Sequence, residues 1–350
     1  MTEIHENNFL FNTWYFIGTS KEIKLGKMKR KVIADQPLVV GRRKNGSIFI
    51  MRDICPHRAA PLSEGCIIGN TVECPYHGWR FDVDSGVCKL IPSLTEDQKF
   101  NSERISVPTY ITKEQDNLIW VYLANDNNFT NKPYIQPYNL PFSTKNAIID
   151  YSCVLECNID HAVIGLIDPA HGPYVHKQWW WRSPKKIHDK VKHFEPFLFG
   201  FTMKPHPPSS NSFAYKLLGG KPLTEIVFQI PGFRTEEIKI GKKTLLSITI
   251  VTPISESKTE IRQIFFTDLN IIKILSPLLK VFTRKFIHQD ANIIKLQQLG
   301  LAYNPKMMLI DDANTQAKWY YAIKKEWNDC IKKGREFQNP VKATTLKWRT

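Results

Sequence analysis

Apolar positions in this chain change their spacing part-way along it. From about residue 10 to about residue 130 they come in short runs: Val32-Ile33-Ala34, Leu38-Val39-Val40, Ile48-Phe49-Ile50-Met51 and Ile119-Trp120-Val121-Tyr122-Leu123. Gly, Pro, Asp and Asn separate the runs, and β-branched and aromatic residues fill them, so they predict strands. Asp84-Ser85-Gly86 reads as a turn. A polar, Pro-bearing stretch from Asn125 to Pro141 reads as a linker, which places one domain at 1–130 and a second at 131–350. The second mixes periods. Glu225–Ile230, Leu245–Thr252 and Glu260–Phe266 predict strands, whereas Leu269 to Ile287 predicts a helix broken near Pro277. A last helix is expected after Asp311-Asp312, either of which can cap it. Trp319, Ile323, Trp327 and Ile331 would be its buried stripe. An all-β domain followed by an α+β domain is the result.

Chemistry concentrates in two short loops of the first domain, Cys55-Pro56-His57-Arg58 and Cys74-Pro75-Tyr76-His77-Gly78-Trp79. Two thiolates and two imidazoles come in the order Cys, His, Cys, His. A [2Fe–2S] cluster with two Cys on one iron and two His on the other needs that set. A Cys2His2 zinc site uses the same ligand types and is the rival, although zinc fingers usually place both Cys before both His.

A third motif is Asp168-Pro169-Ala170-His171-Gly172-Pro173-Tyr174-Val175-His176, an Asp-x2-His-x4-His pattern. Asp168 before Pro169 looks like a helix start, with His171 early in that helix. Gly172 and Pro173 would break it, so that the His171 and His176 imidazoles can converge. Downstream, Asp290 lies in His288-Gln289-Asp290-Ala291-Asn292 on a predicted helix face.

The two Cys/His loops resemble those of the Rieske family. Its high-potential members carry one more Cys in each loop, paired as a disulfide; Ala60 and Tyr76 stand at those positions here. The resemblance is therefore to the oxygenase type, and it covers nearly the whole chain. The downstream motif resembles the mononuclear-iron motif of Rieske non-heme iron oxygenases, terminal oxygenase component, most of all the pheophorbide a oxygenase and vanillate demethylase group. That resemblance implies a cluster on Cys55, His57, Cys74 and His77 and a mononuclear Fe(II) on His171, His176 and Asp290, one of each per subunit. Such a facial triad leaves positions open for O2. His161 is a reserve ligand, and Asp268, Asp311 and Asp312 compete with Asp290. Asp168 would bridge the cluster of one subunit and the iron of the next. Ile164 and Gly165 stand where related sequences often carry Glu-Asn, leaving Asn158, Asp160 and His161 as nearby polar groups.

The implied fold is an N-terminal antiparallel β Rieske domain and a C-terminal helix-grip α+β domain with an antiparallel sheet. The implied activity is that of a mono- or dioxygenase that takes electrons from a reductase or ferredoxin. It would hydroxylate, demethylate or ring-oxidise an apolar or aromatic substrate, as a homotrimer. Two other readings stay open: a Rieske electron carrier without catalysis, and a desaturase acting on a lipid-like substrate.

Composition adds limits. The seven cysteines form no regular framework, and the start has no apolar signal core, which fits a reducing compartment, the cytoplasm. A net charge of +15 suits an acidic electron donor or an anionic membrane surface. The basic residues are spread out and no nucleic-acid module is present, so nucleic acid is not expected. Leu269–Phe282 mixes apolar and basic residues as interfacial helices do, although a pocket lid or a buried helix explains it as well. Trp179-Trp180-Trp181 would line a pocket entrance or a subunit interface, or pack in the core.

Overall fold

The computed structural model describes residues 9–125, 133, 135–140, 147–176, 188–207 and 221–350. Trp179–Trp181 and part of the Asn125–Pro141 stretch lie outside the described residues. Two compact units divide the chain, one bounded at Phe11–Lys145 and one at Asn146–Thr350, with Phe9 and Leu10 belonging to the second.

The first unit is built of short antiparallel strands in three sheets. β1 (Thr13–Thr19), β10 (Leu118–Leu123) and β9 (Thr112–Gln115) pair in that order. So do β2 (Met28–Ile33), β3 (Gln36–Arg42) and β4 (Ile48–Arg52). The third sheet runs β5 (Cys66–Ile68), β6 (Thr71–Glu73), β7 (Arg80–Asp82) and β8 (Cys88–Leu90). The four predicted runs fall on β2, β3, β4 and β10. Ala34 is the exception: with Asp35 it takes a positive φ and forms the turn into β3. The Asp84-Ser85-Gly86 turn joins β7 to β8. Asp82 Oδ1 accepts from the backbone N–H of Asp84 and Ser85, and Gly86 has φ +74 where a Cβ would lie 1.9 Å from the Val107 carbonyl oxygen. Val39, Met51, Leu62, Val72 and Phe81 form a core that also surrounds Cys55 and Cys74.

The second unit is one eight-stranded antiparallel sheet ordered β11 (Ile149–Leu155), β17 (Lys258–Thr267), β16 (Lys243–Ser255), β15 (Phe233–Ile240), β14 (Leu223–Gln229), β13 (Gly200–His206), β12 (Asp189–Phe197) and β18 (Thr344–Arg349). The described helices are α1 (Ile159–Ile167), α2 (Gly172–Val175), α3 (Asn270–Ile274), α4 (Ser276–Leu301) and α5 (Thr315–Lys333). α5 packs on one side of the sheet through aromatic contacts, Phe194 with Trp319, Phe199 with Trp327 and Phe228 with Tyr320. α4 packs beside the edge strand β11 and against α1 and α2. No described helix is long and apolar enough to cross a membrane.

Three local expectations are corrected. α5 starts at Thr315 after Asn314, and neither Asp311 nor Asp312 caps it. Asp312 has φ +56, outside any helix, and its carboxylate accepts from Lys347 N–H; Asp311 pairs with Lys318. The buried stripe of α5 is Tyr320, Ile323, Trp327 and Cys330, with Trp319 and Ile331 half-buried at its edges. Steady steps of four drift around a helix of 3.6 residues per turn, so alternating threes and fours mark the true inner face. The break before Pro277 falls at Leu275, and the helix then continues to Leu301, well beyond Ile287.

Candidate metal centres

The two Cys/His loops leave β4 and β6 and share one backbone design. Cys55 N–H donates to the Ala60 carbonyl, and Ala59 N–H to the Cys55 carbonyl. Cys74 N–H donates to the Trp79 carbonyl, and Gly78 N–H to the Cys74 carbonyl. The residue four after each cysteine is left-handed, Ala59 at φ 57 and Gly78 at φ 70. Each turn thus buries its thiol and pushes its histidine out. Cys55 and Cys74 are 2% and 3% exposed, whereas His57 and His77 are exposed. The two imidazole rings lie 4.6 Å apart, and His57 stacks on Trp79 at 4.6 Å and 4°. Burial first, then the neighbouring Cys74, pushes the Cys55 thiol up to about 11. Desolvation, then His57 and Arg58, hold the His77 imidazole below its ordinary value, toward the neutral form that a ligand needs. A buried sulfur pair beneath an exposed nitrogen pair fits a cluster with one thiolate iron inward and one imidazole iron outward.

The second constellation lies entirely in the second unit. Among the described residues, one ligand atom each from His171, His176 and Asp290 lie within 4.8 Å of one another. His171 precedes α2 and His176 follows it. Asp290 comes from α4. His176 is buried, with Nε2 3.2 Å from Asp290 Oδ1, and its ring stacks on Phe286 at 3.5 Å and 14°. His171 Nε2 is 3.8 Å from the same Asp290 oxygen. His171 Nδ1 and His176 Nε2 are buried without a hydrogen-bond partner. The His171 nitrogen among these faces Asp168, whereas the orphaned His176 Nε2 and His171 Nε2 both face Asp290, and that set suits a cation with two imidazoles and one oxygen on one side of it. Burial would push the His171 imidazole down, yet Asp168 and Asp290 together carry it above its ordinary value.

The Rieske [2Fe-2S] domain family matches residues 13–110, which sets the zinc alternative aside. Residues 13–110 are therefore a Rieske [2Fe-2S] domain. "Protein TIC 55, chloroplastic" of Arabidopsis thaliana is 26% identical over 321 residues, 89% of this chain and 56% of that protein. The chain thus spans little more than half the length of that relative. "Dicamba O-demethylase, oxygenase component" of Stenotrophomonas maltophilia is 29% identical over 182 residues, 48% of each chain. The crystal structure of dicamba monooxygenase bound to dicamba has the same fold, with a TM-score of 0.71 at 20% identity over 93% of this chain and 99% of that one. A resident [2Fe–2S] cluster goes with the Rieske domain, and the His171, His176 and Asp290 set could hold a separate metal ion.

Downstream of the Rieske domain Asp168 does not start a helix, as its sequence suggested. It ends α1 with φ −67 and ψ 119, because the residue before a proline is driven out of the helical region. Its Oδ1 accepts from Ala170 N–H at 2.7 Å, and Oδ2 lies 3.7 Å from His171 Nδ1. Gly172 and Pro173 begin α2 instead of breaking a helix. The competing ligands are engaged elsewhere: Asp268 accepts from Thr244 N–H, and His161 sits on α1 outside the trio. Asn158 caps α1 at His161 N–H, and Asp160 binds Tyr320 and Lys324 on α5. His288 faces Tyr151, its Nε2 2.8 Å from the hydroxyl.

Three supporting residues escaped the sequence reading. Gln289 Oε1 lies 3.1 Å from His176 Nδ1. Phe286 covers the His176 ring. Buried Asp53, two residues before Cys55, takes Arg30 Nη1, Ser63 N–H and Ser63 Oγ and so pins the first cluster loop. Asp53 close to Cys55 was visible in the sequence; its partners were not.

Proposed function

We propose that this chain is a terminal oxygenase that uses O2 and electrons from a reductase or ferredoxin to oxidise an apolar or aromatic organic substrate by hydroxylation or demethylation. The carrying observation is the His171, His176 and Asp290 set in a chain that also holds a Rieske cluster site. An electron carrier has no use for the second site. One of the named relatives is a dicamba O-demethylase, which supports an organic substrate and removal of a methyl group. When bound, the mononuclear iron supplies O2 activation and the cluster supplies electrons.

The protein's own part is positional. Gln289 fixes the His176 ring, Phe286 shields it from water, and Asp290 brings the negative charge. Exposed His57 and His77, beside Arg58, form an edge where an acidic donor can approach. In this reading Asp168 would join His77 of one subunit to His171 of the next in a cyclic homotrimer, a heterologous ring that closes. The five cysteines outside the cluster loops, none of them in a disulfide, suit a reducing compartment such as the cytoplasm.

The test is metal analysis with replacement of the iron ligands. Purified protein should carry two iron and two sulfides for the cluster and one further iron per chain. His171→Ala, His176→Ala and Asp290→Ala should each lose that further iron and all turnover, while the Rieske spectrum persists. Product analysis under 18O2 with a metabolite library and a generic reductase then identifies the substrate. A wild-type protein that never binds the further iron would make the chain an electron carrier.

A further inference from the structure

α3 and α4 leave an apolar surface open on the side away from the sheet. Among the described residues, more than half of the exposed large apolar ones lie between Ile271 and Ile310. They are patterned. Ile271, Ile274, Leu278 and Val281 follow one another at steps of three and four, and Leu296 and Leu299 continue that side of the helix. Leu275 N–H donates to the Ile271 carbonyl and Leu279 N–H to the Leu275 carbonyl, so the phase carries across the break between α3 and α4. The opposite side is the buried one, with Ile272, Thr283, Ile287 and Ile294.

We infer that this outward face of α3 and α4 is a docking surface for an anionic lipid leaflet. Charge decides between the possible occupants. Lys273, Lys280, Arg284, Lys285 and Lys295 are exposed around the apolar stripe. Asp290 is the single acidic residue between Asp268 and Asp311, and it is turned to His171 and His176. The same face of a second copy would set these five cations against their like. Lipid phosphates bring the opposite charge, and the leaflet offers the apolar stripe a medium. The helix lies along the surface and does not enter the core, since its basic residues forbid a span.

Flotation of the purified, metal-loaded chain tests this. The protein should rise with vesicles of phosphatidylcholine and phosphatidylglycerol in equal parts and stay behind with phosphatidylcholine alone. The double variant Ile274→Asp, Leu278→Asp should lose flotation by about tenfold or more. Its melting curve, iron content and mass in solution should match the wild type. Should that variant misfold, Lys280→Glu with Arg284→Glu gives the same reading through charge. Wild-type protein that stays behind with the anionic vesicles, or folded variants that float like wild type, would overturn the inference. Variants that change the mass in solution and not the flotation would make this face a contact between copies. Flotation needs no turnover, and iron content reads the oxygenase proposal separately.

Discussion

Gln289 Oε1 stands 3.1 Å from Nδ1 of His176, so the imidazole is held on the side away from the nitrogen that faces Asp290. The next residue, Asp290, sets Oδ1 3.2 Å from Nε2 of the same ring. Neighbouring residues on one helix thus hold both edges of one imidazole. With Nδ1–H donating to the amide oxygen, Nε2 keeps its lone pair for a metal. Gln289→Leu should weaken mononuclear iron binding by about 10- to 100-fold. Gln289→Glu keeps the acceptor and should bind close to wild type. Chelator competition reads both, with the cluster spectrum as internal control.

Asp168→Asn tests the proposed bridge. Asparagine keeps the oxygen that Ala170 N–H uses and removes the charge beside His171. Both metals should stay bound, and cluster reoxidation by O2 in the presence of substrate should slow by about 10-fold or more. Rapid mixing gives that rate, and light scattering gives the mass of the assembly. Unchanged reoxidation would leave Asp168 as a brace for its own loop; a fully active monomer would end the trimer proposal.

Ala59 and Gly78 give opposite expectations at equivalent stations. Ala59 carries a Cβ at φ 57, so Ala59→Gly should stabilise the first unit by about 0.5–1 kcal/mol once glycine's greater unfolded freedom is subtracted. Gly78→Ala adds a Cβ at φ 70, 3.0 Å from Pro92 Cγ, and should cost about 1–2 kcal/mol with loss of cluster occupancy. Thermal melts and the visible cluster absorbance measure the pair.

Acid should loosen the end of α5. Arg335 holds the Glu326 carboxyl down to about 2, against its burial, and Gln338 N–H adds to the effect. A depressed carboxyl stabilises the fold above its unfolded value of about 4.5, and that contribution is lost as pH falls toward 2. Glu326→Gln should lower the melting temperature at neutral pH and flatten its decline between those two values. A decline as steep as the wild type's would assign acid sensitivity to other groups.

The strands and the two Cys/His loops were legible because both signals are local. A run such as Leu38-Val39-Val40 or a Cys-x-His needs no knowledge of distant residues. Asp168 was misread for a related reason: a cap followed by proline fits the start of one helix and the end of another equally well. The prior run Ile159–Ile167, with Asn158 at its head, was the signal that the helix already existed. Asp311 and Asp312 failed in the same way, since two good caps precede an Asn that takes the position. Gln289 carried no signal at all. Its role exists only because the sheet returns α4 to the loop at His176.

That return also sets an order of assembly during synthesis. Cys55 through His77 leave the ribosome together, and the first unit closes around them early. His171 and His176 emerge next with a four-residue helix between them. Six strands, β12 to β17, must still be made and paired before Asp290 arrives on α4. The mononuclear iron therefore has no complete seat on the nascent chain until most of the sheet exists. Iron–sulfur assembly can act on a half-made protein, whereas the mononuclear iron must be delivered to one that has nearly finished folding.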